Sequence, residues 1–515
     1  MVSPYSKLAL AWPVALSLAV TGGLGGCAAL APQASQQQAD GAAITVSSEL
    51  PASWSTPSAD TASKITLSGS ADIAAPASGA TPQAAWWQHF HDPQLTHLIE
   101  QAQAANTSVA TARAALLQAR ALRDVAQAGL GPTVGLSASA QRSRSGSGAT
   151  AVSSSNYKAG ADASWELDLF GANRSALYAS SASLRASAAN LGDVQVSIAA
   201  ELALDYLTLR SAQARLVIAD ANLAAQLDTW QIAKWRLQAG LGSSLEAEQA
   251  RAAAEQTQAQ RPTLLISIAQ SRHAIAVLTG RPPAALDAEL AATAPLPQVD
   301  EAIALSLPAD TLRQRADVRG AEEKVSAAVA ELAQIDATRK PSFNLGGSIG
   351  LSALTLGSLT SGSSLVASIL GSVSMPLFDG GAASARVAAQ RAAVTQAQLA
   401  HRAAVLAALR EVEDALAALA HNTERQAHLQ QAAEAAANAA LLARQRYQSG
   451  LIDFQTVLDT QRSQLGAEDS LASARADQGA AMVRLYKALG GGWVPAAELA
   501  ELAGRPVDLA QQTTP

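Results

Sequence analysis

"QAGLGSSLEAEQ" at residues 238–249 and "QSGLIDFQTVLD" at residues 448–459 interrupt two long Ala-rich runs in the same way. Gly240 and Gly450 lie 210 residues apart. Other landmarks keep nearly that spacing. Val109 pairs with Val318 at 209, Gly131-Pro132 with Lys340-Pro341 at 209, and Leu169-Phe170 with Leu377-Phe378 at 208. A near-constant shift over four landmarks marks an internal duplication with a unit of about 200 residues.

Each unit has the same order. A helix-like segment comes first, Gln94–Ala128 in one unit and Ala309–Arg339 in the other. Two strand-like segments follow, then a very long helix-like run, then a return helix. The strands are read from alternation. In "NYKAGADASWELDL", Tyr157, Ala159, Ala161, Ala163, Trp165 and Leu167 share one face, while Lys158, Asp162, Glu166 and Asp168 share the other. Residues 133–140 and 342–350 alternate likewise, as does "SILGSVSMPL" more loosely, and Ser/Gly-rich loops are expected at 143–155 and 357–364.

The long runs are decisive through length. Residues 382–449 contain neither Gly nor Pro, and 172–239 contain only Gly192. Either run, as continuous helix, extends about 100 Å at 1.5 Å per residue, too long for a globular domain. The shorter helices of the first unit, 94–128 and 243–279, laid end to end match one long run. The expected architecture is a tall cylinder of antiparallel helices with the strands at one end. Gly240 and Gly450 then mark turns at the far end.

Composition agrees. Of 515 residues, 49% are hydrophobic but only 4% aromatic, which suits close packing of small side chains in a thin wall. A net charge of −6 gives no basic face for nucleic acid. One Cys excludes an intramolecular disulfide framework. That Cys27 ends "TGGLGGC", after Lys7 and the apolar run "LALAWPVALSLAV", so residues 1–26 read as a signal peptide. Residues 27–82 read as a flexible linker, 83–288 and 309–493 as the two repeats, 289–308 as the link between them, and 494–515 as a tail. Four strands cannot close a membrane barrel, which needs at least about eight. Strands that enter a membrane must therefore be shared among several chains.

The chain resembles the TolC-like outer-membrane efflux proteins, in particular their NodT-type lipoprotein subgroup. The resemblance rests on "WWQHFHDPQLTHLI", "WELDLFGANR", "RADVRGAEEKVSAAVAELAQIDATRKPSFNL", "MPLFDGG", "RYQSGLIDFQTVLDTQRSQLGAEDSLA" and "VRLYKALGGGW", within residues 86–493. One departure is Arg315-Ala316-Asp317, where the family usually reads Arg-Pro-Asp. "LGGC" resembles a lipobox, which implies lipid attachment at Cys27 and anchoring in the outer membrane.

The resemblance implies a mostly α protein. Its long α-helical barrel is joined to a 12-stranded β-barrel shared by a homotrimer, four strands per chain. It implies a passive exit duct for drugs and toxic small solutes in a tripartite pump, without catalysis or a cofactor. The partners implied are a periplasmic adaptor protein, an inner-membrane RND pump and outer-membrane lipid. In the family an Asp near the tip turn rings the constriction, and "VLDTQ" puts that residue at Asp459. Asp453 is the candidate for a second acidic layer. The competing reading of Asp459 is a solvated helix acid paired with Arg462 three residues on. Gly240, Leu241, Gly450 and Leu451 are candidate adaptor contacts, although turn geometry alone also explains the glycines.

Other signals carry less. His89, His91 and His97 lack a completing Cys or carboxylate for a metal. No Walker, HExxH or GxSxG motif occurs. Trp86, Trp87 and Trp165 suit an interface, at the membrane boundary or an equatorial belt. Two other functions remain open on residues alone: a duct for protein or peptide secretion, and a periplasmic structural lipoprotein with no pore.

Overall fold

A computed structural model describes residues 85–146, 148, 151–297, 315–361 and 364–493. The signal peptide, Cys27, the linker 27–82 and the tail 494–515 lie outside the described residues. The elements run α1 (Pro93–Ala105), α2 (Thr107–Ala128), β1 (Thr133–Ser145), β2 (Val152–Leu167), α3 (Ala172–Gln238), α4 (Ser244–Leu278), α5 (Ala316–Ala337), β3 (Ser342–Ala353), β4 (Leu365–Ser374), α6 (Ala382–Gln448) and α7 (Phe454–Ala488). After α1, the order helix, two strands, long helix, return helix occurs twice.

The two long helices have 67 residues each, about 100 Å of continuous helix. Both start from a glycine in the left-handed region, Gly171 (φ 80°) and Gly381 (φ 89°). Such a backbone suits Gly because a Cβ would meet the following carbonyl. That accounts for the glycines in "LFGA" and "LFDGGA".

The helices form one layer. α2 and α4 pack along one flank of α3, α5 and α7 along the other, and α6 packs beyond α5 and α7. Two short helices therefore stand end to end beside each long one, as their lengths predict. The two junctions are built alike. Gly280 (φ 73°) and Gly490 (φ 76°), again 210 residues apart, end α4 and α7. Beside them, Asn106 donates from Nδ2 to the Leu278 carbonyl at 2.9 Å, and Arg315 donates from Nη1 to the Ala488 carbonyl at 2.8 Å. Each satisfies a carbonyl that a helix end otherwise leaves bare.

The first helix-like segment differs from expectation. It is two helices, α1 and α2, broken at Asn106. The Asn106 side chain accepts from Ser108 and Val109 N–H groups and so caps α2. No Gly or Pro marks this break; its signal in the sequence is the Asn at the N-cap position.

An equatorial core surrounds the middle of α3. Trp86, Trp87 and Phe90 are buried there, and Trp86 stacks on Tyr486 at 5.5 Å. The interface expected for Trp86 and Trp87 is thus an internal one of the chain, away from any membrane boundary. Trp165 differs. It is half-exposed at the helical end of β2 and donates from Nε1 to the Leu130 carbonyl at 2.9 Å.

Arg210 is buried in the same core without a direct anion. It donates to Gln213, Gln94, the Ala292 carbonyl and the Tyr206 hydroxyl, which in turn donates to Asp92 at 2.8 Å. This network ties α3 to the start of α1. Burial, opposed in part by the Arg210 hydrogen bond, pushes the Tyr206 phenol up to about 12.

At the preceding residue, burial raises the Asp205 carboxyl to about 6, and the Glu201 charge adds to the rise. The folded chain then holds this proton more tightly than the unfolded chain, where Asp titrates near about 4. Stability falls as pH rises through that window, between about 4 and about 6. Asp205→Asn is expected to raise the melting temperature near neutral pH and to leave it unchanged at about pH 3, where the carboxyl is neutral in both the folded and the unfolded chain. Paired thermal melts at the two pH values check this.

The four strands make one antiparallel sheet in the order β1-β2-β3-β4. The strands run further into the expected loops than the composition indicates, leaving only 146–151 between β1 and β2. Register sorts the two faces. Val134, Leu136, Ala161, Ala163, Leu345, Ile349, Ala367 and Ile369 share one, and Ser137, Asp162, Ser164, Ser348 and Ser368 share the other. On the polar face, Ser137 donates to Asp162 at 2.7 Å, and Ser348 meets Ser368 at 2.8 Å. On the apolar face, Leu136 is 90% exposed and Ile369 is 86% exposed. That much bare hydrocarbon suits lipid, not water. β1 and β4 each have one unpaired edge. No helix among the described residues is long and apolar enough to cross a membrane.

Candidate functional site: the helical tip

The far ends of the long helices turn in the same way. Gly240 and Gly450 both have φ of 72°. In each turn the Gly N–H bonds back to a carbonyl three residues earlier, and the next Leu N–H to one five residues earlier. This double bond is the Schellman motif, which needs a left-handed residue at the helix end. Each return helix is then capped at equivalent positions. Ser243 accepts from the Glu246 N–H at 3.2 Å, and Asp453 accepts from the Thr456 N–H at 2.8 Å.

Asp453 therefore has a local duty that the acidic-layer reading overlooked. Its Oδ1 also accepts from the Thr456 hydroxyl at 2.5 Å. These hydrogen bonds hold its carboxyl below the usual carboxylate range. The signal was present in the sequence as an Asp just before a helical run.

Asp459 sits nearly two turns further on, within α7, and is exposed. Gln455 donates to its Oδ1 at 3.0 Å, and Arg462 approaches it at 3.3 Å. The pairing with Arg462 is present within the chain. An exposed pair of this kind contributes about 0–1 kcal/mol, so it is too weak to commit Asp459 to a structural role. Beneath it, Tyr447, Phe454, Val457 and Leu458 form a small separate core with the alanines of α3, α4 and α6. The Arg236 guanidinium lies 4.9 Å from the centre of the Tyr447 ring. Deeper in the wall, Arg215 of α3 makes a two-pronged pair with Asp469 of α7 at 2.6 and 3.0 Å.

Leu241 is 71% exposed and Leu451 is 73% exposed. A Leu at this position of the motif commonly packs back on its own helix. Here both stand in solvent. Among the described residues, no group of three or more His, Cys, Asp or Glu is placed to hold a metal ion. His97 is occupied with Gln101 at 2.6 Å.

A duplicated chain with two very long helices, a four-stranded lipid-type sheet and capped tip turns is the protomer of a TolC-type α-helical barrel joined to a shared β-barrel. Residues 98–281 and 307–491 each match the family described as outer membrane efflux protein, and the chain belongs to it. The two matches fall one on each repeat. Among its relatives, the pyoverdine export outer membrane protein OpmQ of Pseudomonas putida is 34% identical over 465 residues, 86% of this chain and 92% of that protein. A probable efflux pump outer membrane protein, SepC of Pseudomonas putida, is 30% identical over 79% of this chain and 85% of that one. Among solved structures, the outer-membrane channel OprN superposes with a TM-score of 0.79 at 34% identity, covering 86% of this chain and 98% of that chain. Members of this family are non-catalytic channel proteins of the outer membrane.

Proposed function

We propose that three copies of this chain form an exit duct in the outer membrane, through which a tripartite pump passes drugs or other small toxic solutes out of the periplasm. The observation that carries this reading is the open layer itself. Its helical edges, α2 with α4 and α6, continue into the two unpaired strand edges, β1 and β4. An unpaired edge is not tolerated in lipid, so each β1 calls for the β4 of another copy. A periplasmic spacer would have no need of an apolar sheet face. One relative is named for pyoverdine export and another for an efflux pump, so in this reading the cargo is set elsewhere, at the inner-membrane pump.

In this reading Cys27 carries the lipid anchor. Leu241 and Leu451, exposed at adjacent tip turns, offer a periplasmic adaptor apolar contacts at both repeats. Asp459 lines the closed tip, with Asp453 beside it as a second layer. Three carboxylates near one axis resist joint ionisation and attract cations. Asp459→Ala is expected to raise single-channel conductance several-fold and to abolish block by divalent cations from the tip side. Unchanged conductance and block in that variant remove Asp459 from the gate. Assembly is tested separately, by extracting outer-membrane fractions in mild detergent. Trimers support the reading, and monomers confined to the periplasmic fraction overturn it.

A further inference from the structure

The charges of the sheet are sorted by face. β3 and β4 carry none. In β2, Lys158, Asp162 and Glu166 all fall on the polar face. In β1, Arg142 and Arg144 fall on the apolar face, opposite Ser155 and Ser153. Both arginines are exposed, and neither guanidinium has an ion-pair or hydrogen-bond partner among the described residues. They stand at the end of the strand furthest from the helices.

Their height is informative. The apolar face runs from the row of Leu167, Phe343 and Val373 to the row of Ala140, Tyr157 and Ala353. Along β2 that is ten residues, about 34 Å at about 3.4 Å each. Tilted by about 45°, it spans about 24 Å of membrane depth, close to the apolar band of an outer-membrane barrel. Arg142 then stands about 5 Å above the band and Arg144 about 10 Å above it. Both face outward at the level of lipid headgroups. A guanidinium at mid-depth costs about 2–4 kcal/mol, but at this height almost nothing.

We propose that Arg142 and Arg144 form a binding rim for the phosphates of lipid A, the glycolipid of the outer leaflet. This rests on the duct reading, which sets the loop end of the sheet outside the cell. Guanidinium forks match phosphate oxygens two at a time. No acid of the sheet shares their face to compete for them. Three chains present six such groups around the barrel, which fixes its depth and couples its rim to the surrounding glycolipid.

The test uses purified full-length trimer titrated with diphosphoryl lipid A and followed by native mass spectrometry. Arg142→Gln/Arg144→Gln is expected to weaken retention at least tenfold, whereas Lys158→Gln, on the other face, leaves it unchanged. Monophosphoryl lipid A should bind more weakly to the wild type. Equal retention by the double variant overturns the proposal, as does displacement of lipid A by an equal concentration of phosphatidylglycerol. The same preparations are recorded in lipid A-free bilayers. Channels without lipid A binding defeat this proposal alone, while the absence of wild-type channels defeats the duct reading beneath it.

Discussion

Arg315→Ala is expected to destabilise the protein by about 2–4 kcal/mol, among the largest effects of any single change. The guanidinium is buried where α7 ends, α5 begins and α6 passes. It donates to Asp317 at 2.9 and 2.7 Å, to Glu411 at 2.8 Å and to the Ala488 carbonyl. Burial alone would lower its pKa, but these acids outweigh burial and raise it. Removing one partner of a buried ion pair costs about 3–5 kcal/mol, and partial exposure of Asp317 and Glu411 reduces that figure. Asp193 makes the loss worse. Its carboxyl is already raised, first by burial and then by the charge of Asp317. Without Arg315, the carboxylates of Asp193, Asp317 and Glu411 share the junction with one neighbouring cation fewer, Lys487 still acting on Asp193. Protonation relieves such a cluster, so the deficit of the variant should shrink as the medium is made more acidic. Denaturant titrations at two pH values measure it. A pH-independent deficit would assign Arg315 a packing role only.

Gly192→Leu is the second large effect. A Cβ at Gly192 would stand 2.5 Å from Cε3 of Trp493, inside contact distance. That ring lies across Gly192 of α3 and beside Arg319 of α5, with the guanidinium 5.8 Å from its centre. Gly-to-Ala exchange in a helix gains about 1 kcal/mol of propensity, while overpacking costs about 1–3 kcal/mol. For Ala the net is a loss of about 0–2 kcal/mol. Leu adds volume that the site cannot take, and the indole must leave. The expected result is a melting temperature lowered by several degrees and a shifted Trp emission. Trp493→Ala should recover much of the loss in the Leu background, a coupling that two independent defects would not show.

The long runs 172–239 and 382–449 and the spacing of Gly240 and Gly450 made the duplication, the helical layer and the tip turns legible. Alternation in 156–168 did the same for the sheet, because one face must be apolar and the other wet. What escaped was set by distant partners. The break at Asn106 is stabilised by a carbonyl of α4, 172 residues away. Ala316, read only as the loss of a starting Pro, hid the role of its neighbour Arg315. Trp86 and Trp87 belong to an internal core because Tyr486, at the other end of the chain, supplies a stacking partner. At the tip, the cap at Asp453 is legible as an Asp just before a helical run, whereas the gate role of Asp459 rests on the family motif alone and on no contact within one chain.

Single-channel recording of the purified wild-type protein in planar bilayers decides whether the assembly is a duct. A small, cation-selective conductance that divalent cations block from the tip side is expected. A correctly assembled trimer that passes no current under any applied voltage would contradict it.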